Sequence, residues 1–427
     1  MKMHKMLSYT AVACLALFSV LLFSNTIRGG TLFSLHKGIN NGDKNNDKGN
    51  LGMEYAKALS SSTVEIVAAP LTLPEKLNIK HVETPKHVKA LYMSAWGAGS
   101  PTLLNPIIDK IDSTELNAIV IDVKDYTGYI SFKLEPIISA TNTSVASDTL
   151  KYAPIYKYKN ISNKIPNINE LIKRLHEKNI YIIARIAVFQ DPYMPKRSPD
   201  LAIHNDDGGI WKDKKGLPWV NPKEKEYWEY IKALSLYAHD IGFDEINLDY
   251  IRFPTDGDLE YMDLELGSST KAAIINDFYV YMGDSLRGVV PVSADLFGLT
   301  TVADDDMGIG QRIESGLINF DFVAPMIYPS HYNNGFKGIA NPDASPYQTI
   351  YATMQASKYK VDKLATNTKQ TNSYYWAKMR PWIQDFSLHH IYSIKEVESQ
   401  IKALHDLGID SYLIWNASNR YTRGVKY

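Results

Sequence analysis

The 427-residue sequence lacks a second cysteine, an excess of charge of either sign and an apolar run of full membrane-span length. Its one cysteine, Cys14, lies near the N-terminus, so the remainder has no disulfide, no thiolate metal site and no thiol nucleophile. The 46 Lys and Arg residues almost balance the 47 Asp and Glu residues. No net field therefore favours nucleic acid or a membrane surface as a partner. The length suits one large barrel domain or two ordinary domains.

Residues 1–30 resemble an export signal or an N-terminal membrane anchor. Lys2 and Lys5 precede an apolar run over residues 9–23, which has the length of a signal-peptide core and is short for a membrane span. No A-x-A cleavage site follows the run, so a cleaved signal and an uncleaved anchor both stay open.

The following segment, residues 31–80, predicts a low-complexity linker. Its centre, residues 40–50, is polar, rich in Asn and Gly and without periodicity, which is typical of a flexible spacer. We therefore expect a globular domain over residues 81–427. That domain is expected outside the cytoplasm, secreted or tethered, with membrane contact only through an uncleaved N-terminal segment.

Apolar, β-branched segments alternate with helical patterns through the whole globular part. Eight segments predict strands: Val88–Ser94, Ala118–Lys124, Ile180–Phe189, Glu245–Tyr250, Val289–Leu296, Phe320–Tyr328, Arg380–Phe386 and Ser411–Asn416. Seven segments predict helices or helical turns: Leu103–Ile111, Ile168–Lys178, Glu224–Asp240, Thr270–Leu286, Ile309–Ser315, Tyr347–Ser357 and Ile394–Leu407. This alternation indicates an α/β fold, a parallel (β/α)8 TIM barrel. Few residues follow the eighth strand, so its closing helix must be short or residues 50–80 must cover that side.

The lengths of the predicted loops indicate where the functional site lies. Long connections follow the strands at 125–166, 190–223, 252–268 and 328–346, whereas the connections that precede strands are short. A barrel enzyme builds its site from the loops at the C-terminal ends of its strands. The asymmetry therefore predicts an active site at that end of the barrel.

The fourth predicted strand supplies the candidate reactive carboxylate. Its apolar residues occupy one face, whereas Asn247 and Asp249 occupy the other, which is unusual in a parallel sheet. A carboxylate at the C-terminal end of a barrel strand points into the barrel mouth, so we predict that Asp249 is catalytic. The alternative is a structural ion pair between Asp249 and Arg252.

Asp295 ends the neighbouring predicted strand and is the candidate second carboxylate. Adjacent strands lie about 4.8 Å apart, so Asp249 and Asp295 could stand about 5–6 Å apart, as in retaining glycosidases. One carboxylate would attack the anomeric carbon, and the other would protonate the leaving oxygen and then activate water.

Other polar and aromatic residues concentrate at the same strand ends and predict a substrate-binding surface. They are Asp122, Lys124, Arg185, Asn247, Arg252, Tyr328, His331, Trp382, Gln384, Asp385 and Trp415. We expect Asp122 and Lys124 to share one face of the second strand. The cations would keep one carboxylate ionised while a more buried neighbour holds its proton. The aromatic rings would stack on sugar rings, although each also has an ordinary packing role.

The sequence gives little support to metal or serine chemistry. No H-x-E or HExxH pattern accompanies its histidines, and no G-x-S-x-G nucleophile motif occurs. We therefore predict no metal site and no cofactor. A metal-dependent polysaccharide deacetylase stays a third class of function, and chelators would abolish its activity.

Taken together, several segments resemble one known family. The central motif is Asp249-Tyr250-Ile251-Arg252-Phe253-Pro254, and the supporting segments are 122–125, 219–222, 293–298, 325–332 and 380–386. They resemble the putative glycosyl hydrolase domain of bacterial proteins, a relative of the alpha-amylase-like and other barrel glycosidases, over about residues 86–423. The resemblance implies a (β/α)8 fold and the hydrolysis of a polysaccharide.

The same resemblance implies residue roles, with two departures from the alpha-amylase pattern. Asp249 would be the nucleophile. Alpha-amylases carry Glu where Asp295 stands and Arg where Asn247 stands, so Asp122 and Asp385 are alternative candidates for the general acid. The sequence thus predicts a glycosidase for an extracellular or cell-wall polysaccharide. The rival is a non-catalytic carbohydrate-binding protein on the same scaffold.

Overall fold

Eight parallel strands close into a barrel, in which each strand pairs with its sequence neighbours and the last pairs with the first. The strands are β1 (Lys89–Met93), β2 (Ala118–Lys124), β3 (Tyr181–Ala187), β4 (Glu245–Asp249), β5 (Val292–Phe297), β6 (Phe322–Met326), β7 (Trp382–Gln384) and β8 (Tyr412–Trp415). Most of their residues are fully buried, because one face lines the barrel and the other packs under helices. The predicted (β/α)8 barrel is confirmed.

A helix follows each of the first seven strands. These helices are α1 (Pro101–Asp112), α2 (Ile168–Glu177), α3 (Lys225–Asp240), α4 (Lys271–Leu286), α5 (Ile313–Asn319), α6 (Pro346–Thr368) and α7 (Ile394–His405). Each buries an apolar stripe, such as Leu171, Ile172 and Leu175 of α2, against the outer face of the barrel. Short helices lie at Ala95–Ala98, Ala153–Tyr158, Met194–Arg197 and Asn372–Trp376, and His204–Asn205 pairs with Met262–Asp263 as a small antiparallel ribbon.

The computed structural model describes residues 79–135, 151–158 and 160–427. The predicted leader (1–30) and all but the last two residues of the predicted linker (31–80) lie outside these ranges. Within them, no helix combines the length and the apolar character that a membrane crossing requires.

An extended tail closes the side of the barrel that follows β8. In the described part of the chain no helix comes after Trp415, so the first alternative, a short closing helix, is absent, and the second, coverage by residues 50–80, lies almost entirely outside the described residues. Instead, Thr422 O accepts a hydrogen bond from Lys110 Nζ of α1 at 3.2 Å, and Lys426 N donates to Glu398 Oε1 of α7 at 2.9 Å. The tail therefore fills the gap between α1 and α7.

A buried ion pair fills the interior of the barrel at its N-terminal end. Arg380 Nη1 contacts both carboxylate oxygens of Glu245, at 2.9 and 2.7 Å, and the Tyr181 hydroxyl donates to Glu245 Oε2 at 3.0 Å. Glu245 and Arg380 are 0% and 1% exposed. Asp249 lies four positions after Glu245 on β4, a rise of about 13 Å, so this ion pair lies at the opposite end of the strand from the candidate site.

Candidate active site

One guanidinium organises the C-terminal end of the barrel. Arg185 on β3 donates to Asp122 Oδ1 on β2 at 2.6 Å and to Asp249 Oδ2 on β4, and its Nε lies 3.7 Å from Asp295 Oδ2 on β5. All four side chains are buried. A single cation therefore faces three carboxylates, which gives the group a formal charge of −2 if every carboxylate is ionised. So much uncompensated charge is costly in a buried site, and the physical response is to retain protons.

Asp249 lies where β4 ends in a strained turn. Its Oδ1 accepts a hydrogen bond from the backbone N–H of Tyr250 at 2.6 Å, while its Oδ2 pairs with Arg185. Tyr250 has φ of +54°, in the left-handed region. A non-glycine residue there costs about 1–3 kcal/mol, and such strain concentrates at functional sites. Asp249 is the last residue of β4 and is 5% exposed, so it lies buried at the C-terminal end of the barrel.

Asp295 is more enclosed and is held by two N–H donors. Asn247 Nδ2 donates to its Oδ1 at 2.8 Å, and Trp382 Nε1 donates to the same oxygen at 2.7 Å. Burial first, and the Asp249 carboxylate second, raise the pKa of Asp295 well above its usual range, although Arg185 and the two donors oppose them. Asp295 thus retains a proton at a pH where an ordinary carboxyl group has lost it.

Asp122 is the third carboxylate, and its partner Tyr92 was not predicted. The Tyr92 hydroxyl donates to Asp122 Oδ2 at 2.6 Å. Burial raises the pKa of Asp122, whereas Arg185 and the Tyr92 hydrogen bond lower it. Alternation along β1 could have identified Tyr92, because Val88 just before the strand, Ala90 and Tyr92 form one inward row and Tyr92 is the last of them.

Aromatic rings surround the Arg185 guanidinium. Tyr92 and Trp415 stack with ring centroids 3.8 Å apart, and the guanidinium carbon lies 5.6 and 5.1 Å from the two centroids. Trp382 meets Trp415 edge to face at 5.6 Å. The Asp295 and Asp249 charges contribute to raising the pKa of Tyr328, after burial. The structure thus brings the predicted residues Asn247, Trp382, Trp415 and Tyr328 together around the three acids.

Two further predicted residues lie beside this cluster. The His331 ring centroid is 5.3 Å from that of Tyr328, and Ser330 Oγ lies 3.0 Å from His331 Nδ1. Burial lowers the pKa of His331 to about 4, which keeps its ring neutral near pH 7. Gln384 is fully buried, and its Oε1 accepts hydrogen bonds from Ser330 N at 3.1 Å and from Ser330 Oγ at 2.8 Å. The Gln384 amide therefore holds the loop that follows β6.

Asp385 and Lys124 lie outside the cluster. Asp385 accepts from the Thr422 N–H at 2.8 Å and the Thr422 hydroxyl at 2.6 Å, so it anchors the C-terminal tail. The register between β2 and β3 shifts just before Lys124, which turns its side chain away from the face that carries Asp122. Lys124 instead pairs with Asp191 at 3.0 Å and donates to Ala187 O at 2.6 Å. The expectation that Asp122 and Lys124 share the inner face is wrong.

Arg252 does not form the ion pair with Asp249 that the structural alternative requires. Among the described residues Asp249 pairs with Arg185, and no ion pair joins Asp249 to Arg252. Arg252 lies instead among Trp219, Tyr250 and Phe297. In the described ranges no group of three or more His, Cys, Asp or Glu side chains has the arrangement of a metal site.

The arrangement defines a chemical class. A carboxylate paired with a guanidinium and a neighbouring carboxyl group with a raised pKa are the two components of general acid and nucleophilic chemistry at a glycosidic bond. Their place at the C-terminal end of a (β/α)8 barrel is that of the active site in barrel enzymes. The class is therefore that of the barrel glycosidases.

Comparison with known proteins gives the family. Residues 90–421 match the family model described as "Putative glycosyl hydrolase domain", and the chain belongs to that family. The resemblance inferred from the motifs is thereby confirmed. No curated protein sequence gives a significant match.

Similar solved structures include glycoside hydrolases. A hypothetical protein from Ruminiclostridium thermocellum ATCC 27405 is 32% identical, with 51% of this chain and 98% of that chain covered and a TM-score of 0.41. The glycoside hydrolase domain of PgaB (BpsB) from Bordetella bronchiseptica is 12% identical, with coverages of 78% and 95% and a TM-score of 0.51. A chitinase catalytic domain from Pyrococcus furiosus is 11% identical, with coverages of 81% and 92% and a TM-score of 0.47. The likeness to PgaB supports the fold alone.

Proposed function

We propose that this glycosidase cleaves a polysaccharide by a retaining mechanism, with Asp249 as nucleophile and Asp295 as acid and base. The observation that carries the proposal is the unequal environment of the two acids around Arg185. Asp249 is paired directly with the guanidinium, whereas Asp295 lies 3.7 Å from it and has a raised pKa. An ionised nucleophile beside a protonated acid is the ground state that a retaining glycosidase needs.

The proposed reaction has two steps. Asp249 attacks the anomeric carbon while Asp295 gives its proton to the departing glycosidic oxygen, which leaves a glycosyl ester on Asp249 and an ionised Asp295. Asp295 then removes a proton from water, the water oxygen bonds to the anomeric carbon, and Asp249 leaves as a carboxylate. Formation of the ester removes the Asp249 charge that helps to raise the Asp295 pKa, so Asp295 is a base in the second step, and release of Asp249 as a carboxylate restores the condition in which Asp295 holds its proton.

The catalytic roles are tested with substitutions that keep the shape of each side chain. The domain is incubated with a panel of wall and capsular glycans, and reducing ends are measured, with the anomer of the first product followed by NMR. Asp249→Asn and Asp295→Asn are each expected to lower hydrolysis by about 10²-fold or more while the fold is retained. Asp385→Asn is the matched control, because Asp385 binds the tail, and its hydrolysis rate is expected to stay near that of the native chain.

A chemical rescue separates nucleophile from acid. Asp249→Ala leaves room for azide to attack the anomeric carbon, so azide should restore cleavage and give a glycosyl azide of inverted configuration. Activity that survives in Asp295→Asn but is lost in Asp122→Asn would transfer the acid role to Asp122. Glycan binding without release of reducing ends by the native domain would favour the non-catalytic carbohydrate-binding protein.

We also propose that the barrel acts outside the cytoplasm. The support is the basic and apolar pattern of residues 1–30 followed by the polar segment 31–80. Expression of the full chain in a bacterial host, followed by fractionation and N-terminal sequencing, tests this. Recovery of an uncleaved chain in the cytoplasm would contradict it.

A further inference from the structure

Arg252 presents a cation enclosed by aromatic rings. Its guanidinium carbon lies 4.9 Å from the ring centroid of Trp219, 5.5 Å from that of Tyr250 and 4.7 Å from that of Phe297. The side chain is 7% exposed. Rings that pack on a guanidinium stabilise its charge and orient its plane, but they use none of its N–H donors.

Most of those donors have no partner. Arg252 Nη1 donates to Phe253 O at 2.9 Å, and among the described residues neither Nε nor Nη2 makes a hydrogen bond, nor does any carboxylate form an ion pair with Arg252. Arg185 and Arg380, the other two buried arginines in the barrel, each pair with carboxylates. Arg252 Nε and Nη2 are not among the polar atoms that are sealed from solvent without a partner. The unpaired Nε and Nη2 atoms are therefore not fully sealed from solvent.

Nearby carboxylates influence Arg252 without binding it. Burial lowers the pKa of Arg252, whereas Tyr250 and the Asp249, Asp256 and Asp213 carboxylates act in the opposite direction. Asp249 is engaged by Arg185. Asp213 Oδ2 accepts a hydrogen bond from Trp219 Nε1 at 3.0 Å. Asp256 is half-buried on the loop that follows Arg252, and it is the acid to be tested as an internal partner.

Burying a cation without an ion-pair partner costs free energy of folding unless an anion binds to it. The Nε and Nη2 edge of a guanidinium matches the two oxygens of a carboxylate in a bidentate pair. Arg252 follows Asp249 by three residues and packs on Phe297, which ends β5. The Asp249 charge acts on the pKa of Arg252, so the guanidinium lies near the proposed nucleophile. We propose that Arg252 binds the carboxylate of an acidic sugar, which makes the substrate a uronic-acid-containing polysaccharide. This inference rests on the proposed function for its catalytic context.

The substrate test uses pairs of polymers that differ in one group. Uronic-acid polysaccharides are compared with the same polymers after chemical reduction of their carboxyl groups to alcohols. The native domain is expected to cleave the carboxylated form about 10- to 100-fold faster, as kcat/KM, because a hydrogen bond to a charged partner is worth roughly that factor. Arg252→Met is expected to abolish the preference, and Arg252→Lys to restore only part of it.

A binding test needs no catalysis. Sodium glucuronate and glucose are titrated into the domain, and the change in tryptophan fluorescence, to which Trp219 on Arg252 contributes, reports occupancy. Glucuronate is expected to bind with an affinity at least about 10-fold above that of glucose, and Arg252→Met to remove the difference. Arg287→Met, at an exposed surface arginine, is the matched control and is expected to retain it.

The outcomes separate the two proposals. Equal cleavage of carboxylated and reduced polymers would overturn the proposal of an acidic substrate and leave the proposed hydrolase function standing. Arg252-dependent glucuronate binding without cleavage of any polymer would support the proposal that Arg252 binds an acidic sugar and would overturn the proposed hydrolase function. Tighter binding of inorganic phosphate than of glucuronate would overturn the carboxylate assignment. An Asp256→Asn variant that binds glucuronate far more tightly than the native domain would do the same, because Asp256 would then be the anion that completes Arg252 in the native chain.

Discussion

Replacing Arg185 by Met is expected to make the stability of the barrel strongly dependent on pH. The change removes the guanidinium that faces Asp122, Asp249 and Asp295 and retains a side chain of similar length. In the native chain the guanidinium lowers the pKa of Asp122 and of Asp295. Without it, both carboxyl groups should retain their protons to higher pH.

The sign and size of the effect follow from linkage. A carboxyl group whose folded-state pKa is raised reduces stability as pH rises through the range between its unfolded and folded pKa, because only the unfolded chain releases its proton there. Each unit of raised pKa costs about 1.4 kcal/mol. At neutral pH the loss is expected to reach about 3–5 kcal/mol, the usual cost of breaking a buried ion pair from one side. Near pH 4.5 the loss should shrink to about 1 kcal/mol of altered packing.

Urea unfolding, followed by tryptophan fluorescence at pH 4.5, 6 and 8, measures this difference. Arg287→Met is the matched control, since Arg287 pairs with Asp284 on the surface and its replacement should change stability by less than about 0.5 kcal/mol. A gap between native and Arg185→Met chains that stays constant over this pH range would refute the reasoning. It would mean that Arg185 acts only through its packing on Tyr92 and Trp415.

Three further predictions concern single groups. Asp295→Asn should remove the loss of stability that the native chain shows as pH rises above the pKa of an unfolded Asp, because an amide has no proton to lose; urea unfolding from about pH 4 to 8 measures it. Tyr92→Phe deletes a hydrogen bond that favours ionised Asp122, so the Asp122 pKa should rise, as carboxyl-carbon NMR titration would show. Arg380→Met leaves Glu245 buried without its cation and should cost about 3–5 kcal/mol in urea unfolding, much of which Glu245→Gln in the same chain should recover.

The spacing of apolar residues along the sequence predicted the strands and most helices, because burial determines that spacing in both kinds of element. The eight strands occur where expected, though they are shorter at several ends, as with Trp382–Gln384 within the predicted Arg380–Phe386. Helix α6 continues to Thr368, eleven residues past its predicted end, because its second half keeps burying Val361, Leu364 and Ala365. Periodicity indicates which residues can be buried, but it fixes element ends poorly.

Strand alternation also predicted that Asp249, Asp295, Asp122 and Arg185 would converge, because inward residues at the ends of neighbouring strands meet in a closed barrel. It failed at Lys124, since a register shift is a property of two paired strands and has no signature in one of them. Asp385 was misplaced for another reason. Its partner Thr422 lies 37 residues away in the tail, and no local pattern records a contact of that kind.

The ion pair between Glu245 and Arg380 makes the foot of the barrel an independent site for engineering. Buried pairs of this kind can often be exchanged for well-packed apolar residues with a gain of about 1–4 kcal/mol. Because the pair lies about 13 Å along β4 from Asp249, such an exchange would stabilise the barrel without altering the residues proposed to contact the sugar. Substitutions at the N-terminal end of the barrel are thus a route to a heat-resistant version of the domain with unchanged selectivity.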